Sequence, residues 1–543
     1  MFGLLFLLWA QPADLVIENA RIWTDGRVGF AEFAAVREGV FVYVGAREER
    51  FIGSRTIRID AGGAVVIPGM IDSHVHMLSG GTMLTQLQLR DATGKEDFIR
   101  RVEEWTKKLK PGEWVLGGRW SVESWENPES PTKEWIDPVT PQNPVYLPRM
   151  DGHSALVNSV ALRLAGITRE GPPDPPGGVI DRHPVTREPT GILRESAMGL
   201  VSRLIPPMSV EQKVIALRKA MEEANRHGIT AVSDIPSIGD LPAYEELAKR
   251  GDLSVRFFLY PTASDWESAG EAVKAFRGKR GWMEVRGFKG YMDGSLGSRT
   301  AYMREPYLPV SERKGLPTED LQWRGLLREG VAEGTLSRNI QFAARAGYQS
   351  IVHAIGDEAN HLLLNLFQEA YGAQLSARRC RSEHAQHLLG EDILRFGLLG
   401  VVASMQPYHK ADDGRYAESY IGAERCKKSY AFRSLLQAGA IVAFGSDWPV
   451  VTINPFLGIE TAVTGKTLDG KFWQTQENIT VGEALRCYTS YGAYAVFAED
   501  YLGRIAPGYR ADFVILNKSP FGYEGSWSEI RPVQVWVEGR RVY

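Results

Sequence analysis

Cysteine is scarce in this chain: three in 543 residues, Cys380, Cys426 and Cys487. An odd, widely spaced set forms no disulfide framework and contains no C-x-x-C metal site, so these thiols read as buried structural residues. Net charge is equally slight. Sixty-three basic residues stand against 66 acidic ones, a balance of −3 that offers no electrostatic footprint for nucleic acid or an anionic membrane. Long apolar runs are missing as well. The stretch from Phe2 to Ala10 is too short to span a bilayer, no Lys or Arg precedes it, and Leu8-Trp9-Ala10 matches a small-x-small cleavage site poorly. Residues 1–12 therefore read as a leader or a truncated signal peptide, which leaves both a cytoplasmic and an exported protein open. No Gly-x-Ser-x-Gly elbow is present, which counts against a serine hydrolase.

What is present describes an ordinary globular protein, 44% hydrophobic and 24% charged, too long for one simple core. Both ends are rich in short strands. Leu15–Ile17, Ala20–Trp23, Phe33–Val36 and Val40–Gly45 lie at one end, and Ala511–Leu516 and Val533–Val537 at the other. They predict one composite β-sandwich, residues 13–66 and 498–543, built from both termini.

The middle alternates apolar runs with amphipathic helices such as Val210–His227 and Ser337–Ala346, the pattern of parallel βα units. Eight candidate strands appear: Val65–Ile71, Ile229–Ser233, Val255–Tyr260, Val285–Tyr291, Gln349–His353, Cys380–His384, Val401–Met405 and Ile441–Gly445. The prediction is an α/β fold, a distorted (β/α)8 TIM barrel over 67–497, whose chemistry sits at the C-terminal strand ends. After the first strand about 150 residues intervene, far more than a βα connection needs. The prediction is an inserted subdomain over about 85–210, with Trp105, Trp114, Trp120, Trp125 and Trp135, reading as an aromatic core or as a lid over the barrel mouth.

Residues able to bind a metal fall at the predicted strand ends. In Asp72-Ser73-His74-Val75-His76 the two imidazoles are two residues apart, so in an extended strand they project to one side and can chelate a divalent ion. His353 ends one strand, His384 another, Asp447 follows a third, and Lys289 lies within a fourth. Each alone has an ordinary structural reading; together, at the ends of different strands, they point to a metal centre. His183, His227, His361, His387 and His409 show no such pattern, and His409 reads as part of a charged loop.

The motifs Pro68–His76, Met150–Asn158, Asp293-Gly294-Ser295-Leu296-Gly297-Ser298-Arg299-Thr300, His353–Asp357, Glu383–Gln386 and Gly445–Pro449 resemble the amidohydrolase superfamily. The likeness is to its YtcJ-like and N-substituted formamide deformylase-like subfamily. This resemblance implies two zinc ions, with His74, His76 and Asp447 on one, His353 and His384 on the second, and Lys289 as an N6-carboxylated bridge. A buried lysine near cations loses its proton more readily, and a neutral amine can take up carbon dioxide. Asp447 would act as general base and acid while a metal-bound hydroxide attacks a small-molecule amide or N-substituted formamide. His153 and Arg299 are the candidate substrate contacts, and Asp293 is expected to orient Lys289 or a neighbouring loop. Relatives of this kind are often homodimers. Two alternatives stay open: a mononuclear deaminase or an ester or lactone hydrolase on the same fold, and a barrel that binds without catalysis.

Overall fold

The computed structural model describes residues 11–25, 29–122, 125–150, 153–276, 281–309 and 322–543. The apolar stretch from Phe2 to Ala10 lies outside the described residues, as do Asp151 and Gly152 of the Met150–Asn158 motif. Among the described residues no helix is long and apolar enough to cross a membrane. The chain divides into two compact units, one comprising residues 1–77 and 221–543 and the other residues 78–220.

In the larger unit the apolar, β-branched-rich runs at both ends pair into two sheets, and the strands Leu15–Glu18, Val65–Pro68 and Phe513–Leu516 are buried along their whole length. One sheet runs Val40–Gly45, Phe33–Arg37, Leu15–Glu18, Ile57–Asp60. A second joins the two ends of the chain: Arg540–Arg541, Pro532–Val537, Phe513–Leu516, Val65–Pro68, Arg21–Trp23, Phe30–Ala31. Leu15, Ile17, Val36 and Phe41 from the first sheet share one apolar cluster with Ile22, Val66, Phe513 and Trp536 from the second.

The rest of this unit is a TIM-barrel-like α/β fold whose parallel strands form two arcs. The first arc is Met70–Val75, Ile229–Asp234, Arg256–Leu259 and Met283–Val285. The second is Gly287–Tyr291, Gln349–Ala354, Arg381–His384, Val402–Met405 and Val442–Phe444. Beyond the arcs' own ladders, the Lys289 N–H donates to the Pro261 carbonyl at 3.3 Å and the Asp447 N–H to the His74 carbonyl at 2.7 Å.

Two strands differ from expectation. The run Val65–Ile71 is not one barrel strand, because Val65–Pro68 pairs antiparallel with Phe513–Leu516 in the terminal sheet. The parallel strand begins only at Met70 and carries on through His74. The break falls at Gly69, whose N–H donates to the Asp512 carbonyl at 2.9 Å and where a Cβ would meet Thr230 Oγ1 at 2.2 Å. Similarly Val285–Tyr291 divides at Arg286, one part going to each arc. Arg256, buried at the start of its strand, ties the parallel strands to the terminal sheet through Asp512 at 3.0 Å and Glu538 at 3.0 Å.

The smaller unit is a six-stranded sheet ordered Gly178–Arg182, Pro189–Glu195, Ser154–Val157, Val145–Pro148, Val115–Gly118, Leu87–Gln88. Trp120, Trp125 and Trp135 are buried in its core with Phe98, and Trp105 packs against them. The Trp120 indole donates to the Leu147 carbonyl at 2.8 Å, and Trp125 and Trp135 stack at 6.3 Å. Trp114 packs on a second cluster in the same unit. These tryptophans therefore form the aromatic core of the unit.

Candidate metal centre

Five of the six expected metal positions stand at or just beyond C-terminal strand ends of the larger unit, and the sixth, Lys289, is the middle residue of Gly287–Tyr291. His74 is near the end of Met70–Val75 and His76 directly follows it. Lys289, His353 and His384 lie on three adjacent strands, and Asp447 comes three residues after Val442–Phe444. His74, His384 and Asp447 offer ligand atoms all within 4.8 Å of one another. His76 Nε2 approaches Asp447 Oδ1 at 3.2 Å, Lys289 Nζ lies 3.4 Å from His74 Nε2, and the His353 and His384 rings are 4.5 Å apart. Except for the partly exposed His76 and His353, these side chains are buried.

Local backbone makes this convergence possible. His384 and Asp447 adopt left-handed conformations, φ +79° and +58°, which only surrounding structure can hold in place for a non-glycine residue. At Gly445 an added Cβ would lie 2.5 Å from the His74 backbone nitrogen, so the absence of a side chain lets the Asp447 segment pack against the His74 strand.

Hydrogen bonds on the outer side of three of the imidazoles decide which nitrogen faces the cluster. Glu383 Oε2 accepts from His74 Nδ1, Gln406 Oε1 accepts from His384 Nδ1 at 2.7 Å, and the Gly294 carbonyl accepts from His353 Nε2 at 2.8 Å. In each ring the remaining nitrogen carries the lone pair, the arrangement found where histidines ligate metals. Burial, reinforced by Lys289, lowers His74 to about 4 and His353 to about 3, and burial holds His384 well below the imidazole range. Neutral imidazoles are what a cation requires. Burial opposes ionisation of Asp447, but the surrounding histidines outweigh it and keep the carboxylate charged. Burial brings Lys289 down to about 8. Neutral nitrogen donors and one buried carboxylate form a donor set that fits a divalent metal ion.

Several participants had no sequence signal of their own. Glu383 and Arg381 form a fully buried ion pair behind His74. Asp72 accepts from the Ser446 N–H at 3.0 Å, the Ser446 hydroxyl at 2.5 Å and the His74 N–H at 3.1 Å, joining the segments that carry His74 and Asp447. Asp234 holds the Met77 and Ile235 N–H groups at 2.8 and 2.9 Å, fixing the turn after His76. His409 departs from expectation: it lies in the helix Pro407–Asp413, its ring stacked on His384 at 6.2 Å. Helical geometry brings it there, so no strand-end pattern could reveal it.

Of the other expected residues, Asp293 organises neighbouring loops, accepting from the N–H groups of Tyr302, Ile355 and Gly356 at 2.8, 3.0 and 2.8 Å. Arg299 is buried, its guanidinium 5.1 Å from the Tyr307 ring and 5.3 Å from the Tyr420 ring, and it donates to the Leu308 carbonyl. His153 lies in the smaller unit, exposed and 3.0 Å from Glu195. The three cysteines are buried and free. His387 is buried against the Ser429 hydroxyl at 2.7 Å, and His361 pairs with Asp392 at 3.1 Å.

Parallel strands that end in a cluster of imidazoles and a carboxylate define a metal-dependent hydrolase. Comparison with known proteins gives the family. A model described as the amidohydrolase family matches residues 58–543, and the chain belongs to that family. Protein LONG AFTER FAR-RED 3 of Arabidopsis thaliana is 37% identical, over 98% of this chain and 92% of its own length. YtcJ of Bacillus subtilis (strain 168), whose name assigns it provisionally to the amidohydrolases, is 32% identical over 94% of this chain and 96% of its own. N-substituted formamide deformylase of Arthrobacter pascens is 25% identical over 97% and 98%. The crystal structure of an uncharacterized metal-dependent hydrolase from Pyrococcus furiosus superposes with a TM-score of 0.75 at 26% identity, covering 93% of this chain and 99% of that one.

Proposed function

We propose that this hydrolase cleaves a carbon–nitrogen bond other than a peptide bond, in an amide or an N-substituted formamide, with two zinc ions held by His74, His76, Lys289, His353, His384 and Asp447. The observation that carries the reading is the convergence of these six side chains, with each of three imidazoles oriented by an acceptor on its outer side. Lys289 serves as an N6-carboxylated bridge; its depressed basicity supports this, since the neutral amine is the form that reacts with carbon dioxide. The name of the Arthrobacter relative supports a formamide as substrate.

When bound, the metal supplies Lewis acidity, lowering the pKa of water and polarising the carbonyl. The chain does the rest. Asp447 takes the proton of the attacking water and returns it to the departing nitrogen. Glu383, Gln406 and the Gly294 carbonyl hold three imidazoles in position. His153, with an exposed ring, stays in the proposal as a substrate contact. The burial of Arg299 between two tyrosines supports a role in holding the loop that follows the Lys289 strand. The same reading takes the two arcs as one closed (β/α)8 barrel over 67–497, with an insertion at about 85–210. The terminal sheets, 13–66 and 498–543, form one composite sandwich.

A second reading has its own support. His74, His384 and Asp447 are the tightest group and would suit a single ion, as in a mononuclear deaminase or an ester or lactone hydrolase. Metal counting separates the two: the proposal expects two ions per chain. The activity test is a screen of zinc-loaded protein across N-formyl amines, N-acyl amino acids and cyclic amides. Turnover of an amide supports the proposal; turnover of esters or amino-heterocycles alone overturns it.

A further inference from the structure

His409 has a geometry that the roles given so far leave unused. Its helix, Pro407–Asp413, starts directly after Gln406, the residue that fixes His384. The two imidazole planes lie within 10° of parallel at 6.2 Å, so the packing that orients His384 also orients His409. Its Nε2 stands 4.0 Å from Asp447 Oδ2. That is too long for a hydrogen bond and the right span for one atom shared between the two. The same Nε2 is buried and has no hydrogen-bond partner among the described residues. A buried imidazole nitrogen held in this state is destabilising unless an incoming group satisfies it. Asp447 Oδ1 is turned instead towards His76, at 3.2 Å.

Resting on the hydrolase reading above, we propose that His409 is a further catalytic residue: an imidazole whose Nε2–H donates a hydrogen bond to the reacting oxygen of the substrate. In the addition step the water oxygen bonds to the carbonyl carbon, the carbonyl π pair moves onto its own oxygen, and one water proton passes to Asp447. In the collapse that pair re-forms the carbonyl, the carbon–nitrogen bond breaks with its pair on nitrogen, and the nitrogen takes the proton from Asp447. The products are a carboxylic acid and an amine. His409 keeps its proton throughout; its bond strengthens as charge gathers on the oxygen and weakens as the charge leaves. A donor fixed in advance where negative charge develops is an effective form of transition-state stabilisation.

The test compares zinc-loaded wild type with H409Q and H409L. Glutamine places an amide N–H near the position of Nε2 but cannot carry a proton; leucine fills the space without a donor. The first readout is calorimetric binding of methylphosphonate, a tetrahedral oxyanion that needs no turnover. H409L should bind it ~30-fold more weakly and H409Q within ~3-fold of wild type, as loss and retention of one charge-assisted hydrogen bond predict. The second is hydrolysis of N-benzylformamide. H409L should lose ~10²-fold in kcat with little change in KM, and H409Q should recover most of it. Zinc content should be equal in all three proteins. Equal losses in H409Q and H409L would make His409 a proton carrier and overturn the proposal, as would an H409L that matches wild type in both readouts or loses zinc. Should wild type hydrolyse no amide while the methylphosphonate difference persists, the reaction class fails and the assignment of His409 as an oxyanion donor stands.

Discussion

Arg381 donates from Nε to Glu383 Oε1 at 2.7 Å, and neither side chain has any exposed surface. The two residues are i and i+2 on one strand and so face the same way. Glu383 reaches on to His74, while Arg381 also bonds the Ser233 hydroxyl at 3.1 Å, the Ser404 hydroxyl at 3.2 Å and the Ser73 carbonyl. One ion pair therefore links four parallel strands directly behind the candidate metal centre. Glu383→Gln would leave the guanidinium charge buried and unbalanced, at a cost of about 3–5 kcal/mol. It would also weaken the acceptor on His74, lowering metal affinity by roughly 10–100-fold. Thermal unfolding and competition against a zinc chelator measure the two effects separately.

The same pair sets a pH dependence. Burial would raise the Glu383 carboxyl, but the Arg381 guanidinium and His74 outweigh it and hold it at about 2, against 4.5 for an ordinary glutamate. A carboxylate depressed on folding contributes stability that is present above the unfolded value and lost as pH falls through the folded one. In the metal-free protein the stability advantage of wild type over E383Q should therefore be largest above about pH 4.5 and shrink towards pH 2. An advantage that grew on acidification would contradict the ion pair as described.

Much of the centre was legible in the sequence because the candidate ligands end apolar runs. The alternation rule placed His74 and His76 on one side and marked the ends at His353 and His384. It could not reveal Glu383, which strict alternation puts on the face opposite to His384. The left-handed backbone at His384, φ +79°, turns that side chain back into the same cluster. His409 was missed because a helix delivers it. The strand Val65–Ile71 was misjudged for another reason: its first half pairs with Phe513–Leu516, more than 400 residues away on the order of the whole chain, and a local pattern carries no pairing partner.

Gly69 tests that division. An alanine Cβ there would meet Thr230 Oγ1 at 2.2 Å, Cγ2 at 2.7 Å and Cβ at 2.9 Å. Overpacking at such a site costs about 1–3 kcal/mol. Gly69→Ala should lower the unfolding temperature, and adding Thr230→Ala should restore part of the loss. Equal losses in the single and double variants would show that the close approach to Thr230 is not the cause.

Lys289 makes a distinct prediction. Its amine is lowered by burial to about 8, so the neutral fraction grows as pH rises through that value. Incubation of the protein with 13C-bicarbonate and zinc should give a carbamate resonance in wild type and none in Lys289→Ala, and formation should quicken from pH 7 to 9. Removing this bridge should cut zinc affinity by at least about tenfold, and added acetate should restore part of it. A resonance that persisted in Lys289→Ala would place the carbamate elsewhere.

Asp447 is where metal binding and proton transfer would coincide, and the two roles can be separated. Asp447→Asn keeps the size and one acceptor oxygen but removes the negative charge that its histidine neighbours favour. If the carboxylate only helped to hold metal, saturating zinc would restore turnover. As the proton carrier it should show a loss of roughly 10²–10⁴-fold in kcat that no zinc concentration repairs. The left-handed backbone at Asp447, φ +58°, is a conformation asparagine tolerates well, so the fold should survive the substitution. A folded, zinc-saturated Asp447→Asn enzyme with near wild-type turnover would remove Asp447 from the chemistry and leave it a ligand alone.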